Sequence, residues 1–277
     1  MNQKSKRTIG MITDVGKVRP VDEDSILAAD LSFGINSENK HFLLLAVADG
    51  MGGHAKGEEA SKIALNTIAK TVIPALNDDT PYTQLLDQGI KNANQEILDY
   101  TVQHPEAKGM GTTSVCAIVK DDDVHLVNLG DSRAYVISND EIRRVTKDHS
   151  FVQQLVDQGT ITEEETRTHP QKNIISKAIG INDSIESDTM RLKLAADENL
   201  LLCCDGVIAH LTDEDIHKTI IDSPDPDTAC QNIVNLANER GGSDNISLII
   251  LSSEDNSISK QIETESSNDD EKTKIIG

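Results

Sequence analysis

Phe42-Leu-Leu-Leu-Ala-Val-Ala-Asp49-Gly50 is an unbroken apolar run that ends on an aspartate with a glycine beside it. Three other runs repeat the arrangement. They are Val124-His-Leu-Val-Asn-Leu-Gly130-Asp131, Leu200-Leu-Leu-Cys-Cys-Asp205-Gly206 and, with the order reversed, Gly242-Ser-Asp244-Asn-Ile246-Ser-Leu-Ile-Ile. Short aliphatic and β-branched runs of this kind read as buried strands. Strands that end on one edge of a sheet would bring their carboxylates together, where like charges repel unless a cation holds them. The pattern therefore points to metal chemistry.

The chain has 277 residues, enough for a full hydrophobic core. Aromatics are scarce, with three Phe, three Tyr and no Trp, so Ile, Leu, Val and Ala must build that core. The net charge of −21, from 26 basic and 47 acidic residues, opposes nonspecific binding to nucleic acid or to an anionic membrane. No apolar stretch approaches membrane-spanning length, and Met1–Arg7 lacks the apolar segment of a secretory signal. The four cysteines (Cys116, Cys203, Cys204, Cys230) show no CxxC spacing, as expected of buried thiols in a reducing compartment. A cytoplasmic protein is expected.

The order along the chain is strands, helices, then strands again rather than strict alternation. Strands are predicted over Ile9–Thr13, Ser25–Ala29 and Phe42–Ala48, followed by amphipathic helices over Glu58–Val72 and Thr83–Gln103. A meander follows: Ser114–Val119, Val124–Leu129, Ala134–Ile137 and Ile142–Val145, with turn chemistry at Lys120–Asp123 and Ser138–Glu141. Ser150 fits an N-cap, and Thr162 with Glu165 fits a capping box. The polar helical insert Ser150–Lys172 is thus a candidate flap. Strands at Glu186–Leu192 and Leu200–Cys204, helices at Asp213–Asp222 and Thr228–Arg240, and a last strand Ile246–Leu251 complete the pattern. From Ser252 to Gly277 the composition turns to Ser, Asn, Asp, Glu and Lys, as in a disordered acidic tail. The whole reads as an α+β protein, one domain over residues 1–251. Its two sheets would pack face to face with helices outside.

In such a sandwich Asp49, Asp131, Asp205 and Asp244 would meet where loops gather at one end. One Asp-Gly after a strand is an ordinary turn; four together are not. No cysteine or spaced histidine pair joins them, so the ligand set is all oxygen and favours Mg²⁺ or Mn²⁺ over Zn²⁺. Paired hard ions about 4 Å apart serve phosphoester hydrolysis. A second constellation, Arg19-Pro-Val-Asp22-Glu23-Asp24, sets an arginine fork suited to phosphate beside an acidic triplet. Alone it would read as a surface ion pair; beside a metal the triplet makes sense.

From Thr8 to Leu251 the chain resembles the metal-dependent protein phosphatases of the PPM (type 2C) group. The motifs that carry the resemblance stand in family order: Gly16-Lys-Val-Arg19-Pro-Val-Asp-Glu23-Asp24, Asp49-Gly50-Met-Gly-Gly-His54, Gly109-Met-Gly-Thr-Thr113, Asn128-Leu-Gly-Asp131-Ser-Arg133, Asp148-His149-Ser150, His169-Pro170, Asp205-Gly206 and Gly242-Ser-Asp244-Asn245. The compact layout is similar to the prokaryotic branch. The resemblance implies a four-layer α-β-β-α sandwich of two mainly antiparallel sheets, and hydrolysis of phosphoserine and phosphothreonine in proteins. It also implies two Mn²⁺ or Mg²⁺ ions, with a third, weaker site. Asp49 would bridge the two ions and the Gly50 carbonyl would bind one; Asp205 and Asp244 would hold the other. Glu23 and Asp24 would position water, Arg19 would bind the substrate phosphate, and Asp131 with Asp205 would take the third ion. The Ser150–Lys172 insert would be the flap that influences substrate choice. Partners would be phosphoproteins made by a Ser/Thr kinase, with no nucleic acid and no membrane, and a monomer is expected.

Four positions depart from the family pattern: Asp22 in place of the usual Asn, Met51 where animal members carry a histidine, Cys204 in place of a frequent Ser, and Val207-Ile-Ala-His210 after Asp205-Gly206. His54 and His149 are expected to serve loop packing, and His41, His104, His125 and His217 to be ordinary surface or satisfied histidines. Two rival readings are a phosphoprotein-binding pseudophosphatase scaffold, against which the intact acidic set argues, and a dedicated regulator of a single phosphoprotein.

Overall fold

Strand β3 (Glu38–Met51) explains the layout, because every residue from Phe42 to Ala48 is buried. Successive side chains on a strand point to opposite faces. Leu43, Leu45 and Val47 pack in one core, and Phe42, Leu44, Ala46 and Ala48 in another. A strand with both faces covered must lie inside a layered structure, which is why its sequence shows no polar alternation.

A computed structural model describes residues 7–35, 38–52, 56–77 and 79–253. Strands β1 (Arg7–Asp14), β2 (Asp24–Ile35) and β3 precede helices α1 (Lys56–Val72) and α2 (Tyr82–Gln103). Then come β4 (Gly111–Thr112), β5 (Ser114–Lys120), β6 (Asp123–Leu129), β7 (Arg133–Ile137), β8 (Ile142–Arg144), and the short helices α3 (Phe151–Asp157) and α4 (Glu163–Thr166). β9 (Asp188–Lys193), β10 (Asn199–Cys203), α5 (Asp205–His210), α6 (Asp213–Asp222), α7 (Pro226–Glu239) and β11 (Ile246–Ser253) complete the order. One sheet runs β1-β11-β10-β7-β8 and the other β2-β3-β5-β6-β9, with β4 paired to the end of β3. Neighbouring strands pair antiparallel throughout.

Three cores separate four layers. Ile68 and Val72 of α1 with Leu86, Ile90 and Ile97 of α2 cover one face of the β2–β9 sheet. Leu45, Val47, Val115 and Leu126 meet Val136, Leu200, Leu202, Ile249 and Leu251 between the sheets. Leu201, Leu248 and Ile250 meet Ile216, Ile220, Ile233 and Val234 of α6 and α7 on the far side. The α+β sandwich expected from the sequence is the fold observed.

Several boundaries differ. β2 continues past Ala29 to Ile35, because Leu27, Ala29, Leu31 and Phe33 alternate onto the helix-covered face. Helix α5 begins at Asp205 itself, with Cys204 as its N-cap. β11 reaches Ser253, which pairs with Arg7 two residues beyond the expected end of the domain. The rest of the predicted acidic tail, 254–277, lies outside the described residues.

The insert forms as predicted at its caps. The Ser150 hydroxyl accepts the Gln153 amide, and Thr162 with Glu165 makes a complete capping box. Ion pairs Arg144–Glu163 at 2.8 Å and Lys147–Asp157 at 2.6 Å hold it to the body, and Arg167 Nη2 donates to the Leu211 carbonyl at 3.0 Å.

Leu45 has no exposed surface and sits where both sheets meet. Leu45→Ala is expected to cost about 2–5 kcal/mol, the usual range for such a core truncation, read as a lower midpoint in urea denaturation.

Candidate active site

Residue pairing across the sheet brings the first two carboxylates together. In the β2–β3 register Asp24 lies directly opposite Asp49, and residues opposite each other share a face. Ile26 and Val47, the next pair on that face, belong to the core between the sheets, so both carboxylates sit at the mouth of that layer. The Asp49 carbonyl accepts the Thr113 amide at 2.9 Å and the Thr112 hydroxyl at 2.8 Å, and the Thr113 hydroxyl accepts the Asp49 amide at 3.2 Å. A Cβ on Gly50 would come within 2.1 Å of the Gly57 carbonyl and 2.4 Å of the Glu23 carbonyl, so only glycine allows the start of α1 to close on this strand.

The Arg19–Asp24 loop is fastened from the far end of the chain. The Asn245 Oδ1 accepts the Glu23 amide at 2.9 Å, while Asn245 Nδ2 donates to the carbonyls of Val15 and Val21 at 3.0 Å each. Arg19 Nη2 donates to Asp244 Oδ2 at 2.7 Å, and its Nη1 lies 3.9 Å from Glu23 Oε2. Glu23 Oε1 accepts the Gly57 amide at 3.2 Å. Asp22 uses both oxygens locally, accepting the Asp24 amide at 3.1 Å and the Thr13 hydroxyl at 2.5 Å.

Asp205 enters from the other sheet, at the first turn of α5. A Cβ on Gly206 would meet the Asn245 carbonyl at 1.8 Å, so α5 lies directly against the Asp244–Asn245 backbone. Asp131 follows β6 and is buried, next to Ser132, whose hydroxyl pairs with that of Thr113 at 2.7 Å. Beside it Arg133 makes a buried ion pair with Asp148, 2.6 Å at its shortest, and also donates to the Tyr135 hydroxyl at 3.1 Å. His149 packs as expected, its Nδ1 accepting the Gly130 amide at 3.1 Å.

The structure thus gathers Asp24, Asp49, Asp131 and Asp205 in one cluster, with Asp24 and Asp131 buried, Asp49 and Asp205 half-buried, and Asp244, Glu23 and Arg19 at its rim. The crowding shows in their acidities. Burial pushes Asp24 up to about 7, against hydrogen bonds from Ser247 and Cys204 and helped by the charges of Asp22 and Asp205. Burial, then the charges of Asp24, Asp205 and Asp131, holds Asp49 well above the usual carboxylate range. Asp131 is raised by burial and by Asp205 and Asp148, and Asp205 by burial and Asp244.

Among the described residues no three such side chains are closed into a preformed cage for an ion. The fit of a divalent cation lies in the donor chemistry. Hard carboxylate oxygens converge, they resist ionising together, and Asp24 Oδ2 and Asp131 Oδ1 are buried with no hydrogen-bond partner. A cation relieves all three conditions at once.

Cys204 has no exposed surface, and burial pushes its thiol well above the ordinary range. Its sulfur accepts the Ser247 amide at 3.1 Å. An oxidation-prone thiolate would need the opposite environment. Met51 pairs with Gly111 at the end of β3, and His54 lies outside the described residues. The sequence reading assigned no role to Asn245, although its place in Gly242-Ser-Asp244-Asn245 flagged it, nor to the hydroxyls of Thr112 and Thr113. A cleft of about 610 Å³ runs from Asp131 and Asp205 to the insert, lined among others by Arg144, Glu164, Arg167, Lys172 and Glu214.

Comparison with known proteins places the chain in a family. Residues 27–235 match the family model described as protein phosphatase 2C. Arg19, Glu23, Asp24 and Asp244 lie outside that span. The serine/threonine phosphatase stp of Listeria innocua is 32% identical over 241 residues, covering 86% of this chain and 93% of that protein. The serine/threonine protein phosphatase PstP of Mycobacterium tuberculosis is 36% identical over 241 residues, but this chain spans only 43% of its length. The crystal structure of the PstP catalytic domain in complex with two manganese ions superposes with a TM-score of 0.76 at 31% identity, covering 89% of this chain and 97% of that one. With the fold, the carboxylate cluster and these similarities in agreement, the chain belongs to the protein phosphatase 2C family.

Proposed function

We propose that this chain is a metal-dependent protein serine/threonine phosphatase that uses two divalent ions, Mn²⁺ or Mg²⁺, to remove phosphate from phosphoserine and phosphothreonine. The single observation that carries the reading is the cluster of Asp24, Asp49, Asp131 and Asp205 with a cationic fork, Arg19, at its rim. Asp49 would bridge the ions, with the Gly50 carbonyl on one and Asp205 and Asp244 on the other. Asp131 with Asp205 would take a weaker third. When bound, such ions supply positive charge to phosphoryl oxygens and lower the pKa of water.

The chain's own residues do the rest. Arg19, held at the rim by Asp244, would turn its guanidinium to the equatorial oxygens of the phosphoryl group, where negative charge is spread during in-line transfer. Glu23 and Asp24 orient the attacking water and hold its proton. The apolar layer under Asp49 keeps bulk water away from the carboxylates, which strengthens every charge interaction above it. Substrate polypeptide would lie in the cleft between the body and the 150–172 flap, so flap residues would influence substrate choice.

Phosphoprotein substrates imply a Ser/Thr kinase that makes them. The four free, buried cysteines support a reducing, cytoplasmic setting, and a monomer is proposed. No helix among the described residues is long and apolar enough to cross a membrane.

Hydrolysis of an aryl phosphate should require Mn²⁺ or Mg²⁺ and stop on chelation. Asp49→Asn and Asp205→Asn should each lower the rate by roughly 10²-fold or more, the scale for losing a main charge stabiliser. Undiminished turnover in either variant overturns the reading. Phosphopeptide binding without turnover in the unaltered, metal-supplied protein would instead favour a scaffold.

Lys172 lines the cleft from the flap side. The ratio of kcat/KM for a phosphopeptide to that for an aryl phosphate is expected to fall several-fold in Lys172→Ala. An unchanged ratio would place substrate outside the cleft.

A further inference from the structure

The stretch Val207-Ile-Ala-His210 departs from the family pattern, and its last residue makes a contact that the chemistry above does not use. We propose that His210 is a positioning residue that latches the Asp244 loop onto the Asp205 helix. Building on the functional reading above, it would thereby set the separation of the two carboxylates assigned to one ion.

Helix α5 has Asp205 at its first position and His210 at its last. His210 Nε2 lies 2.9 Å from the Ser243 amide nitrogen and 2.9 Å from the Ser243 hydroxyl. A backbone N–H can only donate, so Nε2 is the acceptor and the imidazole proton sits on Nδ1. The contact ends one residue before Asp244. On the same side of the helix, the Gly206 Cα leaves no room for a side chain against Asn245. The two ends of α5 thus bracket the 243–245 backbone, one by close contact and the other by a hydrogen bond.

The latch is itself anchored. The His210 carbonyl accepts from Arg240 Nη1 at 3.3 Å, and Arg240 Nη2 pairs with Asp215 Oδ1 at 2.7 Å. The Gly242 carbonyl accepts the Lys17 amide at 2.7 Å, which connects the same loop to the Arg19 segment. His210 therefore stands where α5, α7 and the Arg19 loop converge, without touching Asp205 or Asp244. Groups that orient ligands from behind commonly govern metal affinity.

The test is calorimetric titration of the full chain with Mn²⁺, together with melting curves in chelator. Relative to the unaltered protein, His210→Ala should bind Mn²⁺ about threefold to tenfold more weakly, the effect of one lost orienting hydrogen bond. His210→Gln should recover most of the affinity, because its Oε1 reaches the same amide, whereas the shorter His210→Asn should not. Melting in chelator should be alike in the four proteins. Equal affinity in His210→Ala and the unaltered chain, or Gln binding no better than Asn, overturns the latch. The Gln–Asn comparison decides even if His210→Ala fails to fold. No Mn²⁺ uptake by the unaltered chain would overturn the functional reading instead.

Discussion

Mutual repulsion among four crowded carboxylates, two buried and two half-buried, is the constraint that the rest of the structure answers. Taking an isolated ion out of water costs several kcal/mol, and crowding like charges adds to it. Asp24, Asp49, Asp131 and Asp205 come from both sheets, and each is raised by its neighbours. Held only by flexible loops, such groups would swing apart into solvent. Here Asp24 and Asp49 are fixed by strand register, and Asp49 is further held by Thr112 and Thr113. Asp205 is fixed by a helix start that tolerates no side chain at the next position. The three apolar cores make those positions rigid, so the framework stores the readiness to take up cations.

Much of this could be read from residue order. The apolar run Phe42–Ala48 announced a doubly covered strand; of the four aspartates expected to meet, Asp49, Asp131 and Asp205 do so, Asp244 lies at the rim, and Asp24 of the second constellation joins them. Capping signals at Ser150 and Thr162 marked helix starts that the structure contains. What escaped has physical reasons. Helix α5 is six residues long, too short for any apolar period to register. The outer half of β2 alternates Leu31 and Phe33 with Asp30, Ser32 and Gly34, so its polar face looked like a loop. Asn245 and His210 act through contacts to backbone amides and carbonyls distant in sequence, and no local pattern records those.

The sandwich and the flap are built by different means. The sandwich depends on buried aliphatic side chains in three layers. Where Arg144 meets Glu163 and Lys147 meets Asp157, the flap depends instead on partly exposed ion pairs, each worth about 0.2–1 kcal/mol.

The place of β11 in its sheet has a consequence for how the molecule is made. β11 lies between β1 and β10, with Arg7 opposite Ser253 and Leu200 opposite Leu251. Among the described residues it is the last strand in chain order, and Asp244 and Asn245 immediately precede it. Until it emerges from the ribosome, β1 and β10 have no strand between them and the Arg19 loop has no Asn245 to close on. Contacts spanning nearly the whole chain also form slowly. A chain that stops before Ile246 therefore lacks the strand that joins β1 to β10 and closes this sheet.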